Sequence, residues 1–190
     1  MTDQSKLWSC VGSAGTVGVT DVAKVDFAGP VVKLHGVDIV GPLETHAELK
    51  PQSQSGIVFP HVQAVIRYGV TPVDGLGQLV DSSHLWDLRV YCRPGRGQVD
   101  VKLMQLPIPA VGSFAAVTPV LKAQFTGGPQ INPQFAAFRA QLIFGPAQEF
   151  DFVNNSYYVE ATLSASAPLT GLINPPALAA VQIFQRKEKI

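Results

Sequence analysis

The sequence predicts an all-β protein, an antiparallel β-sandwich that is jelly-roll-like and built from about eight to ten strands. Three observations predict it. Apolar and polar residues alternate with a period of two in several short segments, as in strands with one face in a core. The 17 glycines and 15 prolines fall as punctuation between those segments, which is how an all-β chain is spelled. No segment sustains apolar residues at i, i+3, i+4 and i+7. The best helical candidate, Pro133 to Ala140, is made ambiguous by its alanines.

The first strands are expected at Lys24–Phe27 and Val31–Val40, divided by Gly29-Pro30. Residues 41–60 contain Gln and Ser and read as one long loop. Val62–Val70 then places Val62, Ala64, Ile66, Tyr68 and Val70 on one face, stopped by Pro72 and Asp74-Gly75. In Leu85–Cys92 the set Trp86, Leu88, Val90 and Cys92 alternates with Asp87, Arg89 and Tyr91. After Pro94-Gly95-Arg96-Gly97, Val99, Val101 and Leu103 alternate with Asp100 and Lys102, and the two runs read as a hairpin. Val117–Phe125, Phe138–Phe144, Tyr157–Ser164 and Ala179–Gln185 complete the set, separated by Gly127-Gly128-Pro129, Gly145-Pro146, Asn154-Asn155 and Asn174-Pro175-Pro176. No repeat or linker divides the chain. Residues 1–20 read as a flexible or partner-bound arm, and residues 21–190 as a single sandwich domain.

Composition narrows the function classes. The 190 residues carry 14 basic and 14 acidic side chains, so the formal net charge is zero. Charged residues are 15% of the chain, against about 25% in a typical soluble domain. Apolar residues make up 46%, and the mean hydropathy is +0.20. This is not the composition of a disordered chain, and a nucleic-acid binder would show a basic excess. No run reaches the ~18 apolar residues of a membrane-spanning helix, and the first residues lack a secretory pattern. The expectation is no membrane and no nucleic-acid partner, with a cytoplasmic location by default. The outward strand positions Arg67, Asp87, Arg89, Asp100, Lys102, Arg139 and Glu160 intersperse both signs, as suits a solvated face.

No motif meets the requirements of catalysis, so the chain is expected not to be an enzyme. Gly12–Gly18 lacks the Gly-Lys-Ser/Thr ending of a phosphate loop. Asp81-Ser82-Ser83-His84 gathers the residue types of a nucleophilic triad, but sequence neighbours of this kind make turns. His35, His46, His61 and His84 lack metal-ligand spacing, so neither metal nor cofactor is expected. Cys92 reads as a small buried thiol, with a Cys10–Cys92 bridge as the alternative.

Two binding readings remain. The leading one is a self-assembling β-sandwich, a homo-oligomer of three or more copies with a structural or scaffold role. Its warrant is the low charge count together with apolar stretches in Pro/Gly-rich connections, which mark interfaces when exposed. The candidate interface residues are Trp8, Ile108, Val111, Phe114, Leu169, Leu172 and Ile173. The alternative is a carbohydrate-binding module or lectin. A pyranose offers an apolar face rimmed by hydroxyls, which aromatic rings with amide partners recognise. Trp86, Tyr91, Asn154, Asn155 and Tyr158 are the candidates, and strand alternation sends one of Tyr157 and Tyr158 inward and the other outward. A capsid- or fibre-like subunit is a third reading, although the N-terminal arm lacks a basic cluster to neutralise packaged nucleic acid.

Several stretches carry a resemblance. They are Trp8-Ser9-Cys10-Val11-Gly12-Ser13-Ala14-Gly15-Thr16, Ala64–Tyr68 with Val73–Leu76, Phe150 to Leu163, and Asn174-Pro175 with Val181–Ile183. Together they cover about a fifth of the chain and resemble a group of small uncharacterised bacterial single-domain proteins. That resemblance implies no activity, cofactor or catalytic residue. The C-terminal strand pair also resembles the β-sandwich heads of phage fibres.

Overall fold

The structure is a computed structural model that describes residues 4–21, 24–34, 62–71, 84–112, 116–129, 134–141, 150–165 and 175–187. Among them lie eleven strands: β1 (Gln4–Val11), β2 (Thr16–Val17), β3 (Val25–Ala28), β4 (Val31–Leu34), β5 (Val62–Val70), β6 (His84–Arg93), β7 (Gln98–Pro107), β8 (Val120–Gly127), β9 (Ala136–Gln141), β10 (Asn155–Ala165) and β11 (Ala177–Lys187). One 3-10 turn, Gly12–Ala14, joins β1 to β2. Among the described residues no helix is long and apolar enough to cross a membrane.

Strands β4 to β11 pair first with last. β4 pairs with β11, β5 with β10, β6 with β9 and β7 with β8, all antiparallel. Successive pairs alternate between two sheets, in the orders β4-β11-β6-β9 and β5-β10-β7-β8. This is a jelly roll: one long hairpin, closed between β7 and β8, rolled into two facing sheets. The other three strands extend it. β3 adds to β4, β2 adds to β5, and β1 runs along the stretch of β11 beyond β4.

The core follows from the alternation. In β10 every odd-numbered residue from Tyr157 to Ala165 is buried, and the even ones face outward. Small and large residues then meet across the sheet: Ala161 lies between Ile66 and Val101, and Val159 between Tyr68 and Leu103. The first sheet supplies Val32, Leu34, Leu88, Val90, Leu178, Val181 and Ile183 to the same cluster. Each fully buried Leu, Ile or Val contributes roughly 1.5–3 kcal/mol of transfer free energy, before the entropy of ordering it is set against that gain.

Several expectations change in detail. The Leu85–Cys92 and Val99–Leu103 runs are strands, but they do not form a hairpin. β6 belongs to the first sheet and β7 to the second, so Pro94–Gly97 is an arch between sheets. Its turn is closed by Gly97 N donating to Pro94 O at 3.0 Å, with Gly95 in the left-handed region at φ 59°. Period-2 alternation says which residues face the core. It cannot say whether two successive strands lie side by side or face each other across that core. The helical candidate Pro133–Ala140 is corrected too, because Ala136–Gln141 pairs with β6, turning Phe138 toward the core and Arg139 outward. Phe138 stacks on Phe125 with ring centroids 4.7 Å apart. Val31–Val40 is strand as far as Leu34, and its remainder lies outside the described residues, as does the loop expected over 41–60.

The N-terminal stretch expected as an arm is, over residues 4–17, part of both sheets. The chain leaves β1, crosses the end of the sandwich through Gly12–Ala14 and enters the second sheet as β2. Two glycines allow the close crossing. A Cβ on Gly12 would run into the Leu178 carbonyl oxygen, and one on Gly15 into the Ile66 side chain. The buried Tyr68 hydroxyl donates to Gly12 O at 2.7 Å, tying the crossing to β5.

Candidate functional site

The carbohydrate candidates do not converge. In β6 the core positions are Leu88, Val90 and Cys92, so Tyr91 lies on the outer face of the first sheet, 44% exposed. In β10 Tyr157 is buried and Tyr158 faces out from the second sheet, half-buried. Stacked sheets lie about 10 Å apart and their outer faces look in opposite directions, so the two rings cannot grip one sugar. The Trp86 backbone belongs to β6, but its side chain lies outside what the structure describes.

Asn154 and Asn155 serve their own turn. The Asp151 carboxylate accepts the Val153 and Asn154 amides at 3.0 and 3.1 Å, and the Asn154 side-chain amide at 2.8 Å. Those bonds hold the Asp151 carboxyl below its ordinary range, with the Asn154 side chain as the largest cause. The Asn155 side chain donates to Asp151 O at 3.2 Å and accepts from Gln105 at 2.6 Å. Tyr157 completes the device. Its hydroxyl accepts the Asp151 amide at 3.0 Å, while its ring packs edge-on against Phe150 and Phe152. The Phe150–Tyr157 run is therefore a self-capped corner on an aromatic plug, and its amides are already engaged.

The interface candidates fare differently. Ile108 is 51% exposed and Val111 fully exposed, just past the end of β7. Three further apolar residues share that end of the second sheet. Val120 and Leu121 open β8 opposite Gln105 and Met104, and Val153 lies in the corner whose Asn154 carbonyl accepts the Ile108 amide at 2.7 Å. All three are exposed. Together these five side chains form an apolar rim where β7 ends and β8 and β10 begin. Reading the sequence missed Val120, Leu121 and Val153, because the first two sit in a strand and the third in a polar turn. Phe114, Leu169, Leu172 and Ile173 lie outside the described residues, and so does the Trp8 side chain, although its backbone pairs with Ile183 in β1.

The strands of the two sheets differ in charge. On the second sheet Arg67, Glu160 and Lys102 stand in one cross-strand row, and Arg67 bridges Glu160 at 2.9 Å. That is the interspersed pattern expected. The strands of the first sheet carry seven basic residues, Lys6, Lys33, Arg89, Arg93, Arg139, Arg186 and Lys187, against two acidic ones, Asp26 and Asp87. Asp87 was expected on a solvated face. It does point outward, yet it is 1% exposed, with Arg139 Nη1 at 3.7 Å. Its cross-strand neighbour Phe184 is buried on the same face, under the Arg89 guanidinium at 4.5 Å.

Cys10 and Cys92 are both thiols. They sit on β1 and β6, with β11 between them, so the sheet itself keeps them from bridging. Burial pushes the Cys92 thiol up to about 12 and raises Cys10 in the same direction. Thiols held protonated in this way are poor nucleophiles. His35, His46, His61 and Asp81–Ser83 lie outside the described residues, as does the His84 side chain. Among the described residues no three of His, Cys, Asp and Glu gather as metal ligands would. No protein-family model and no curated protein sequence matches the chain.

Proposed function

We propose that this chain is a non-enzymatic, self-assembling β-sandwich that forms a homo-oligomer of three or more copies. The observation that carries the reading is the apolar rim of Ile108, Val111, Val120, Leu121 and Val153, exposed at one end of the second sheet. A surface cluster of this kind in a chain with 15% charged residues gains free energy by leaving water, and a second copy supplies the cover. The sheet edge beside the rim is less suited to the task. β8 carries Lys122 where its register with β7 shifts, and charges and bulges on edge strands oppose open-ended pairing. Contact through the rim therefore favours closed assembly over sheet extension.

The jelly-roll order is shared by shell subunits, lectins and cupins, and a fold does not choose among them. A shell or fibre is the same reading at higher copy number. The carbohydrate reading is weakened by the opposed faces of Tyr91 and Tyr158.

Light scattering on the purified chain tests the proposal. The expected mass is three or more times 20.3 kDa, and a paired Ile108→Asp and Val111→Asp variant should fall toward one copy with unchanged circular dichroism. A wild-type chain that remains a 20.3 kDa monomer at micromolar concentration would overturn it. Electron micrographs of the same sample separate rings, shells and filaments.

A further inference from the structure

We infer that the outer face of the second sheet binds a neutral glycan at a single ring, Tyr158. The opposed faces of Tyr91 and Tyr158 exclude a site shared by both, and leave Tyr158 with neighbours of its own. It stands on β10 directly opposite Gly69 of β5, with Glu160 and Arg67 as the next outward pair on the same face. Among the described residues Tyr158 makes no ring contact and no hydrogen bond, whereas the inward Tyr157 makes both. An outward ring that serves no contact within the fold is open to a ligand with an apolar face.

Gly69 keeps that ring open. A glycine inside a strand weakens it, and marks a bulge, a bend or a close approach by a ligand or another backbone. The β5–β10 register runs unbroken from Val62 to Val70, so no bulge lies here. Gly69 does not take a positive φ, and a Cβ there would meet nothing within 4 Å. Neither backbone conformation nor crowding requires glycine at this position, and the Tyr158 ring does not fold over it. The missing side chain leaves a gap beside the ring.

The polar groups next to the gap select the ligand. Arg67 places Nε and Nη2 each 2.9 Å from Glu160 Oε2, which leaves Nη1 as a donor and Oε1 as an acceptor close together. A hydroxyl both donates and accepts, so two adjacent hydroxyls of a sugar satisfy the pair. Tyr158 and Glu160 are two residues apart, about 7 Å along the strand, so a pyranose stacked on the ring brings its hydroxyls to the ion pair. Strands β5, β7 and β10 carry Arg67 and Lys102 against Asp100 and Glu160. That balance suits a neutral ligand and gives a polyanion no field to follow. The site uses none of the rim residues, and the inference does not rest on assembly.

Affinity electrophoresis of the full chain tests this, in native gels containing cereal β-glucan, galactomannan, xyloglucan or dextran. At least one of these neutral polysaccharides should retard the chain. Tyr158→Ala should weaken that binding by at least about tenfold in dissociation constant, as for truncating a central aromatic contact. Gly69→Val, which fills the gap, should weaken it as well, and Tyr91→Ala on the opposite face should change nothing. Gly69→Val adds a strand-favouring side chain in open space, so it keeps the test valid if Tyr158→Ala does not fold. Thermal melts and light scattering on each variant separate loss of glycan from loss of folding or assembly. Retardation by none of the four polysaccharides, or by anionic alginate alone, overturns the proposal. So does binding that survives both Tyr158→Ala and Gly69→Val. A folded Tyr158→Ala chain that loses mass together with binding also overturns it, by making this face a subunit contact.

Discussion

Gly97 and Gly69 make a matched pair for testing how tightly the two sheets are joined. Gly97 ends the arch between β6 and β7. A Cβ added there would lie 2.6 Å from the Pro176 Cγ and closer still to the Ser164 carbonyl oxygen. Carbon contacts are comfortable at about 3.5–4.0 Å, so something must move by roughly an ångström. The obstacles are a backbone carbonyl and a proline ring, neither of which can rotate away. Overpacking costs about 1–3 kcal/mol where side chains can give, and the upper end applies here. With about 2–4 °C of melting temperature per kcal/mol for a chain of this size, Gly97→Ala should melt about 6–12 °C lower. Gly69 lies in β5, where a Cβ meets nothing within 4 Å. Gly69→Ala should be neutral or stabilising by about 0.4–1 kcal/mol through the unfolded chain. Circular dichroism melts and urea titrations of both variants beside wild type provide the readout. Equal melting temperatures for the two variants would refute the placement of β6 and β7 in facing sheets.

Tyr68→Phe removes the buried hydroxyl that donates to Gly12 O and should cost about 1–3 kcal/mol, because that carbonyl is left without its partner. Hydrogen exchange should show the 12–17 segment losing protection first. The carboxyl of Asp151 is held low by its bonds to Asn154 and Val153, so its contribution is full above about pH 3.9, the unfolded value. That contribution disappears as pH falls through the lowered folded value. Asp151→Asn should therefore melt below wild type at neutral pH, with the difference closing in acid; a gap independent of pH would refute the reasoning. Native protein at pH 8 should react slowly with a thiol reagent, Cys10 ahead of Cys92, and denatured protein should show both thiols at once. Rapid native labelling of Cys92 would contradict its burial.

The strands were legible because alternation survives any rearrangement of their partners. Ala64, Ile66, Tyr68 and Val70 face the core whichever strands flank β5. What alternation cannot carry is the identity of those partners, and the arch at Pro94–Gly97 shows the limit. A Pro-Gly corner between two alternating runs has the same local pattern in a hairpin and in an arch. The difference lies in Ser164 and Pro176, which crowd Gly97 from elsewhere in the chain. The candidate sites were less legible for a similar reason. Asn154 and Asn155 look available for a ligand until Asp151 and Gln105 are placed beside them. Arg89 and Arg139 look like ordinary surface charges 50 positions apart, until the register puts them opposite each other. Composition sums over the whole chain and cannot see which charges the strand register sets side by side.

The first-with-last pairing also has a consequence in time. β1 finds its partner only in β11, more than 160 positions further along the chain. At a synthesis rate of about 5–20 residues per second, that wait is roughly 8–35 s on the ribosome. β4 and β5 wait in the same way for β11 and β10. The innermost pair, β7 with β8, is separated by twelve residues, far fewer than the other first-with-last pairs, and can close first. The nascent chain thus acquires its order from the middle outward, with the flanking strands exposed for longest. Such long-range pairing makes folding slow and crowding hazardous. A chain of this design would depend on chaperones, or on dilution, far more than its modest length suggests.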